Sequence, residues 1–328
     1  MQFEISVTLA VQSIGSWLNP LMSLFSFLGT EQFYLVLVPF IYWCIDPAFG
    51  LSIGAMLMLT NVVNSAFKLA LHSPRPYWLD PQVKALGAES SFGMPSGHSQ
   101  NAAAIWGLAA AKIKRNWAWW AAAIIAFMIG FSRLYLGVHF LRDVLSGWLI
   151  GAVLLWLFLK LEGRLANWFS NAGLGVQLLT ALASAALMMA IGLIIQAING
   201  GYIVPDQWIT MALAATGETI DPLSLDGFFT AAGVWFGLLT GVAILLHGPG
   251  LVSAEGTPVQ KLLRYVLGAV VMSGLYAGLG AIFPRNADLL SFFLRFVRYT
   301  LIGLWVSAGA PWLFVKLNLS RPQKAVQK

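Results

Sequence analysis

The sequence predicts an all-α membrane protein: a polytopic transmembrane helix bundle of about nine spans, with the N-terminus outside and the C-terminus in the cytoplasm. Three observations lead there. The 328-residue chain is 59% hydrophobic and only 10% charged, whereas soluble domains carry about 25% charged residues. So little charge cannot cover a water-exposed surface of this size. The apolar runs are long enough to cross a bilayer, which takes roughly 20 residues each. Several tryptophans (Trp17, Trp43, Trp78, Trp117, Trp119, Trp120) stand near the ends of those runs, as an interfacial aromatic belt does. A soluble protein with buried helices would need shorter apolar runs and more charge between them.

In chain order, residues 1–30 set Phe3, Ile5, Val7, Leu9, Val11 and Ile14 among polar residues, which reads as an interfacial segment. Nothing there has the basic head and cleavage site of a signal peptide. The first span lies between Leu21 and Trp43, with Glu31 expected to face protein or water. Asp46-Pro47 makes a turn, and the second span covers Phe49 to Leu71. The loop 72–95 is rich in Pro, Gly and Ser. A third span runs from His98 to Ala111, a fourth from Trp117 to Tyr135 and a fifth from Val138 to Leu159. Four more cover 174–198, 227–246, 262–283 and 289–315. Two organisational units follow: a core, 1–165, that holds all the chemistry, and C-terminal spans, 166–328, without an evident role.

Basic residues gather at Lys112/Lys114/Arg115, at Lys160/Arg164, at Lys261/Arg264 and in the tail from Lys316. By the positive-inside rule these face the cytoplasm. Counting spans then puts the N-terminus, the acidic loop 199–226 (Asp206, Glu218, Asp221, Asp226) and three polar islands on the opposite face. An odd number of spans is what separates the two termini. The net charge of +6 is spread over run ends and islands, so it reads as topology and not as a nucleic-acid surface. Cys44 is the only cysteine, which excludes an intramolecular disulfide and leaves it a packing role.

The islands carry the chemistry. The first is Lys68-Leu-Ala-Leu-His-Ser-Pro-Arg75-Pro76, the second Pro95-Ser96-Gly97-His98, and the third runs from Ser132-Arg133 through His139 to Asp143. Lys68, Arg75 and Arg133 match the charge of a phosphate monoester and follow it as it spreads over the equatorial oxygens in the transition state. Arg presents a planar fork suited to two oxygens. Ser96-Gly97 opens a span, so helix-start amides can point at the anion, and the Ser96 hydroxyl can cap that helix or donate to phosphate. His139 and Asp143, four apart, share one face of a helix. Asp143 then orients one imidazole nitrogen and leaves the other to attack phosphorus, while His98 protonates the leaving alcohol. A metal on His98, His139 and Asp143 would be repelled by three nearby cations, so neither metal nor other cofactor is expected. A lone histidine in an apolar run is more often structural, which is the reading for His72 and His247. The full set at membrane depth defaults to function.

These residues resemble the type 2 phosphatidic acid phosphatase superfamily, whose pattern is Lys-x6-Arg-Pro, Pro-Ser-Gly-His and Ser-Arg-x5-His-x3-Asp. The match covers roughly 20–165 without departure in type or spacing. It implies phosphate binding by Lys68, Arg75, Ser96, Gly97 and Arg133, acid/base work by His98, and a nucleophilic His139 partnered by Asp143. The vanadium haloperoxidases of that superfamily share the pocket but are soluble. The extra spans are similar to the nine-span layout of glucose-6-phosphatases, as is Arg75-Pro76-Tyr77-Trp78. The expectation is a metal-independent lipid phosphate phosphatase working through a phosphohistidine, with Phe67, Leu69, Tyr77, Trp78, Phe92 and Tyr135 meeting acyl chains. The alternatives are a sugar-phosphate hydrolase, a phosphotransferase and a non-catalytic lipid transporter. The expected partners are a membrane lipid phosphate, the bilayer and a second copy in a homodimer, but no nucleic acid. The compact chain suits a bacterial inner membrane, with the site facing the periplasm or exterior. Loop 199–226 is expected over the site, with Arg285, Arg295 and Arg298 meeting headgroups.

Overall fold

The computed structural model describes residues 1–284 and 286–322; Arg285 and the end of the basic tail, 323–328, lie outside the described residues. The regular structure is helical, apart from one isolated bridge between Val252 and Pro322. The helices are α1 Gln2–Gln12, α2 Asn19–Phe27, α3 Glu31–Cys44, α4 Pro47–Leu71, α5 Gly97–Asn101, α6 Gly107–Ile113, α7 Asn116–Tyr135, α8 Leu141–Asn171, α9 Leu174–Ile198, α10 Asp206–Thr216, α11 Asp226–His247, α12 Pro258–Ile282, α13 Leu289–Leu304 and α14 Ala310–Lys316. A π turn, Ala102–Trp106, joins α5 to α6, and another, Trp305–Gly309, joins α13 to α14.

Local chemistry explains several starts. The Asp46 carboxylate accepts from the Phe49 amide ahead of α4, and Pro47 opens the helix where no amide is needed. Thr257 and Gln260 form a reciprocal capping box around Pro258 at the start of α12. Asp288 caps α13 through the Ser291 amide.

Among the described residues, seven helices are long and apolar enough to cross a membrane, and the bent pair 16–27 and 31–44 makes eight. The first expected span is therefore not one rod: it turns by 50° at 28–30. There the Thr30 hydroxyl accepts from the Phe33 amide and starts a new helix. The expected third span is the composite of α5, the π turn and α6, of 5, 5 and 7 residues. The expected fifth span begins at Leu141 rather than Val138. The acidic stretch 199–226, expected as a loop, contains the helix α10.

The chain divides into two compact units: Met1–Tyr34 with Thr60–Leu159 and Ile191–Leu225, and Leu35–Leu59 with Lys160–Ala190 and Asp226–Lys328. In the first, Leu18, Met22, Tyr77, Trp78, Phe92, Tyr135 and Val138 are buried together. α4 is tied to α5 by amides, as polar groups do between membrane helices. Asn64 Nδ2 donates to Gln100 Oε1 (2.9 Å) and Gln100 Nε2 to Thr60 O (2.8 Å). α8 lies hard against α5: a Cβ on Gly147 would fall 2.6 Å from Ser96 O. Segment 199–221 packs on the loop after α4. Asn199 donates to Leu69 O, the Asp221 amide donates to Ser90 O, and Tyr202 stacks on His72 at 3.8 Å. His72 is thus packed against the segment 199–221.

In the second unit, Trp43, Cys44, Leu238, Met272, Ile302 and Phe314 form the core. Arg264 is 1% exposed and donates to the carbonyls of Trp43, Ser253, Ala254 and Glu255. It stitches backbone together and is not a surface topology charge. Arg295 pairs with Asp226, and Arg298 lies over Tyr276 and Tyr299 while donating to Tyr276 O. These two arginines are therefore engaged within the protein rather than held out for headgroups.

Candidate active site

The site forms where α4, α7 and α8 end or begin, all within the first unit. Lys68 sits in the last turn of α4 and donates to Ser91 Oγ at 2.8 Å. Arg75 follows in the extended stretch after α4, between Pro74 and Pro76, which hold the backbone out of a helix. Its guanidinium is fully buried. All five of its N–H groups are engaged: Nε with Ser91 O (2.7 Å), Nη1 with Val138 O (2.8 Å) and His139 Nε2 (3.2 Å), and Nη2 with Ser91 Oγ (3.2 Å) and Phe92 O (3.1 Å). Most of the Arg75 fork therefore holds the loop 91–92 and the turn at 138 together.

His139 is not on a helix, which corrects the shared-face argument. α7 stops at Tyr135, and Gly137 with φ +72 turns the chain in a way that L side chains resist. His139 and Asp143 still meet, because Asp143 lies in the first turn of α8. Asp143 Oδ2 accepts from the Phe140 amide (2.9 Å) and stands 3.4 Å from His139 Nδ1. Glu4 Oε2 accepts from the next amide, Leu141 (2.9 Å), so α1 helps to anchor this turn. The tautomer follows from the partners. Arg75 has only donors, so the Nε2 that faces it must be the acceptor, and the proton sits on Nδ1 toward Asp143. Burial first, then Arg75, Arg133 and Lys68, hold the His139 imidazole well below its usual pKa range, in the neutral form.

Arg133 comes from the last turn of α7. Its Nη1 donates to Ser26 Oγ and its Nη2 to the Glu89 carboxylate, while its Nε–H is buried without a partner. The other Glu89 oxygen is 3.6 Å from Arg75 Nη2. Burial alone would raise the pKa of Glu89, but Arg75 and Arg133 outweigh it and hold the carboxyl well below the usual range. His98, in the first turn of α5, is within electrostatic reach of Glu89, Lys68, Arg75 and Arg133. Its Nε2 is buried and also unpartnered. Arg133 Nε and His98 Nε2 are thus two buried polar atoms of this cluster that have no partner within the protein.

Lys68, Arg75, His98, Arg133, His139 and Asp143 therefore converge. Ser96 caps α5: its hydroxyl accepts from the Ser99 amide and hydroxyl, and its own amide donates to Asp143 O (2.9 Å). Gly97 lies against Asn64, where a Cβ would meet Oδ1 at 3.1 Å. Sequence reasoning missed Ser26, Glu89 and Ser91. Single Ser and Glu residues in a loop and an apolar helix carry no spacing signal, and only the position of Glu89 between two cationic islands pointed to it. The expected acyl-chain wall is also corrected. Leu69, Tyr77, Trp78, Phe92 and Tyr135 are buried, and only Phe67 (42%) is exposed. Tyr77, Trp78, Phe92 and Tyr135 pack together in the core of the first unit.

The PAP2 superfamily profile matches residues 49–166, a stretch that holds all three islands, and the profile of the PAP2 superfamily phosphatase transmembrane extension matches residues 229–322. Phosphatidylglycerophosphatase B of Bacillus subtilis is 32% identical over 43% of this chain and 73% of its own length. Sphingosine-1-phosphate phosphatase 1 of Rattus norvegicus is 30% identical over 45% of this chain, and the chain spans only 36% of that protein. Glucose-6-phosphatase 3 of Bos taurus is 26% identical but aligns over 94% of this chain and 93% of its own length. The motifs, the buried cation cluster and the apolar helices that carry it agree with these likenesses, and the chain belongs to the PAP2 superfamily as a multi-pass integral membrane phosphatase, a phosphoric monoester hydrolase.

Proposed function

We propose that the protein hydrolyses a lipid phosphate monoester at the non-cytoplasmic face of its membrane, through a phosphohistidine on His139. One observation carries the reading: the His139 ring, with Nε2 3.2 Å from Arg75 Nη1, lies among Lys68, Arg75 and Arg133, with the unpartnered His98 Nε2 close by. The substrate phosphoryl group lies over Arg133 and Lys68. Its arrival takes the Arg75 Nη1–H from His139 Nε2 onto a phosphate oxygen and so frees the nucleophile. The Nε2 lone pair forms a bond to phosphorus as the P–O bond to the alcohol breaks. His98 takes up a proton as the anionic substrate enters beside it and gives that proton to the leaving oxygen. Asp143 holds Nδ1–H and stabilises the charged ring. Water then attacks the phosphohistidine, His98 takes its proton, and phosphate leaves.

Two features support the placement. α5 and α6 lead from Ser96 to the basic turn Lys112–Arg115, and α7 returns to Arg133. A stretch of 5, 5 and 7 helical residues spans about 25 Å, close to the bilayer core thickness. The basic turn and the site then lie on opposite faces, the cytoplasmic side taking the basic turn. On this reading 1–165 is the catalytic part and 166–328 an extension. The phospholipid-directed enzyme from Bacillus subtilis, the sequence's likeness to it and the apolar setting favour a lipid in a bacterial plasma membrane. The second reading, a soluble sugar phosphate, rests on the glucose-6-phosphatase 3 likeness, which runs the length of the chain.

The test is metal-free phosphate release by the purified protein in detergent micelles. The panel is phosphatidic acid, phosphatidylglycerol phosphate, sphingosine phosphate, undecaprenyl diphosphate and glucose 6-phosphate, beside His139→Ala. Turnover of one lipid, lost in the variant and unaffected by chelator, is expected. Preference for glucose 6-phosphate over every lipid would move the assignment to the second reading, and turnover by His139→Ala would end the phosphohistidine mechanism.

A further inference from the structure

We infer that Glu89 is the resident anion of the phosphate site: in the free enzyme its carboxylate holds the place of a phosphoryl group between Arg133 and Arg75, and substrate or product phosphate binds only by displacing it. The inference rests on the reading of these cations as the phosphate site.

The donor accounting makes the case. Arg75 has no uncommitted N–H, and one Nη1–H of Arg133 goes to Ser26. The side edge of Arg133 is Nε–H beside Nη2–H, a pair that grips two oxygens of one oxyanion. Glu89 engages the Nη2 arm, while the Nε arm is buried with nothing to hold. A carboxylate placed this way satisfies the edge only in part. A phosphate can offer an oxygen to each arm and a third toward Lys68. The carboxylate and a phosphate dianion cannot share the spot, since like charges at such range repel strongly in a buried setting.

The local structure lets one side chain move without unfolding the loop. The backbone of Glu89 is pinned on both sides to one hydroxyl: Tyr77 Oη donates to Glu89 O (3.0 Å) and accepts from its amide (3.3 Å). Displacement is therefore a rotation about side-chain bonds. The Glu89 side chain is 25% exposed, so water is at hand to receive the carboxylate. The consequence for turnover is direct: the returning carboxylate competes with product phosphate and lowers its hold on the site.

The experiment compares the wild type with Glu89→Gln, which keeps the size and removes the charge. Inorganic phosphate is titrated calorimetrically into each protein in micelles, and its inhibition of lipid turnover is measured. Phosphate should bind the variant about tenfold more tightly, the equivalent of roughly 1.4 kcal/mol, with a lower KM for substrate. Adding Arg133→Ala to the variant should remove the gain. Glu89→Asp, which keeps the charge but draws it back by one methylene, should fall between the two, and it serves as the second arm if Glu89→Gln does not fold. Phosphate affinity that is unchanged or weaker in both variants would overturn the inference and make Glu89 a partner that orients the arginines. Failure of the phosphatase reading looks different: no member of the substrate panel would be hydrolysed by the wild type, whatever phosphate does.

Discussion

Replacing Arg75 with lysine separates two jobs that a cationic residue can have in this site. If Arg75 served only as a charge for phosphate, lysine would keep that charge and cost little. The structure gives it five hydrogen bonds, three of them to the backbone carbonyls of Ser91, Phe92 and Val138. Lysine has three N–H groups on one atom, and those acceptors lie around the rim of a planar fork. At least two of the five then lose their donor inside a fully buried pocket. An unsatisfied buried acceptor costs about 1–3 kcal/mol, so Arg75→Lys should cost roughly 2–6 kcal/mol, a large share of the stability of a typical domain. Heating the protein in micelles and following the loss of monodisperse material should show a clearly lower midpoint. Turnover should fall through kcat, because Val138 O and the His139 ring lose their common anchor. A variant as heat-stable as the wild type, with only KM raised, would refute the reasoning and return Arg75 to a phosphate-gripping role.

Three further outcomes follow from the same geometry. Gly93→Ala places a Cβ 2.9 Å from Pro74 O and 3.0 Å from Asp143 Oδ2; the displaced carboxylate should lower kcat about 10–100-fold, and wild-type kcat would argue that the loop gives way instead. Ser26→Ala removes the acceptor of Arg133 Nη1; the loosened guanidinium should raise the Ki of phosphate several-fold while His139 chemistry is spared, and equal loss of kcat would contradict this. On the proposed mechanism His139 reacts in its neutral form, and its pKa is depressed, so acidification removes that form only well below the ordinary value of about 6.5. Nitrogen-15 NMR of histidine-labelled protein, assigned with His139→Gln, should show a ring still neutral at about pH 6.5, and a normal titration there would contradict the burial argument.

Much of the fold was legible because membrane helices are written in bulk composition. α4, α7, α9, α11 and α12 lie within a few residues of where apolar length puts them, and the signal at Asp46-Pro47 is local. The break at 28–30 was not legible. The run from Leu21 to Trp43 stays apolar across it, and the hydroxyl that restarts the helix is one threonine among several polar residues. α10 was missed because four acidic residues in 199–226 read as solvent-facing loop, whereas its apolar side packs on the turn 76–78 of the same unit.

The site divides along the same line. Residue types and spacing name the cations and the histidines, because a phosphate needs positive charge and a transfer needs a nucleophile. They say nothing about where the cations spend their hydrogen bonds, and that is what gives each its job. Arg75 and Arg133 look alike in the motif, yet one has all five N–H groups engaged, three of them by backbone carbonyls, and the other keeps its Nε–H without a partner. The aromatics around them look like a surface for acyl chains, yet Trp78 and Phe92 are buried, and Tyr77 uses its hydroxyl to hold both backbone groups of Glu89. A wall built to follow a lipid tail would be exposed and adaptable; this one is packed and hydrogen-bonded. What this loop delivers to the cations is a carboxylate, so on the proposed function this segment acts on the phosphate and not on the chain. Variants of Tyr77 should therefore act through phosphate affinity. Tyr77→Phe, which releases the Glu89 backbone while keeping the ring, should change the Ki of phosphate and leave the ranking of acyl-chain lengths as it is in the wild type. A changed ranking with unchanged Ki would place the loop against the lipid after all.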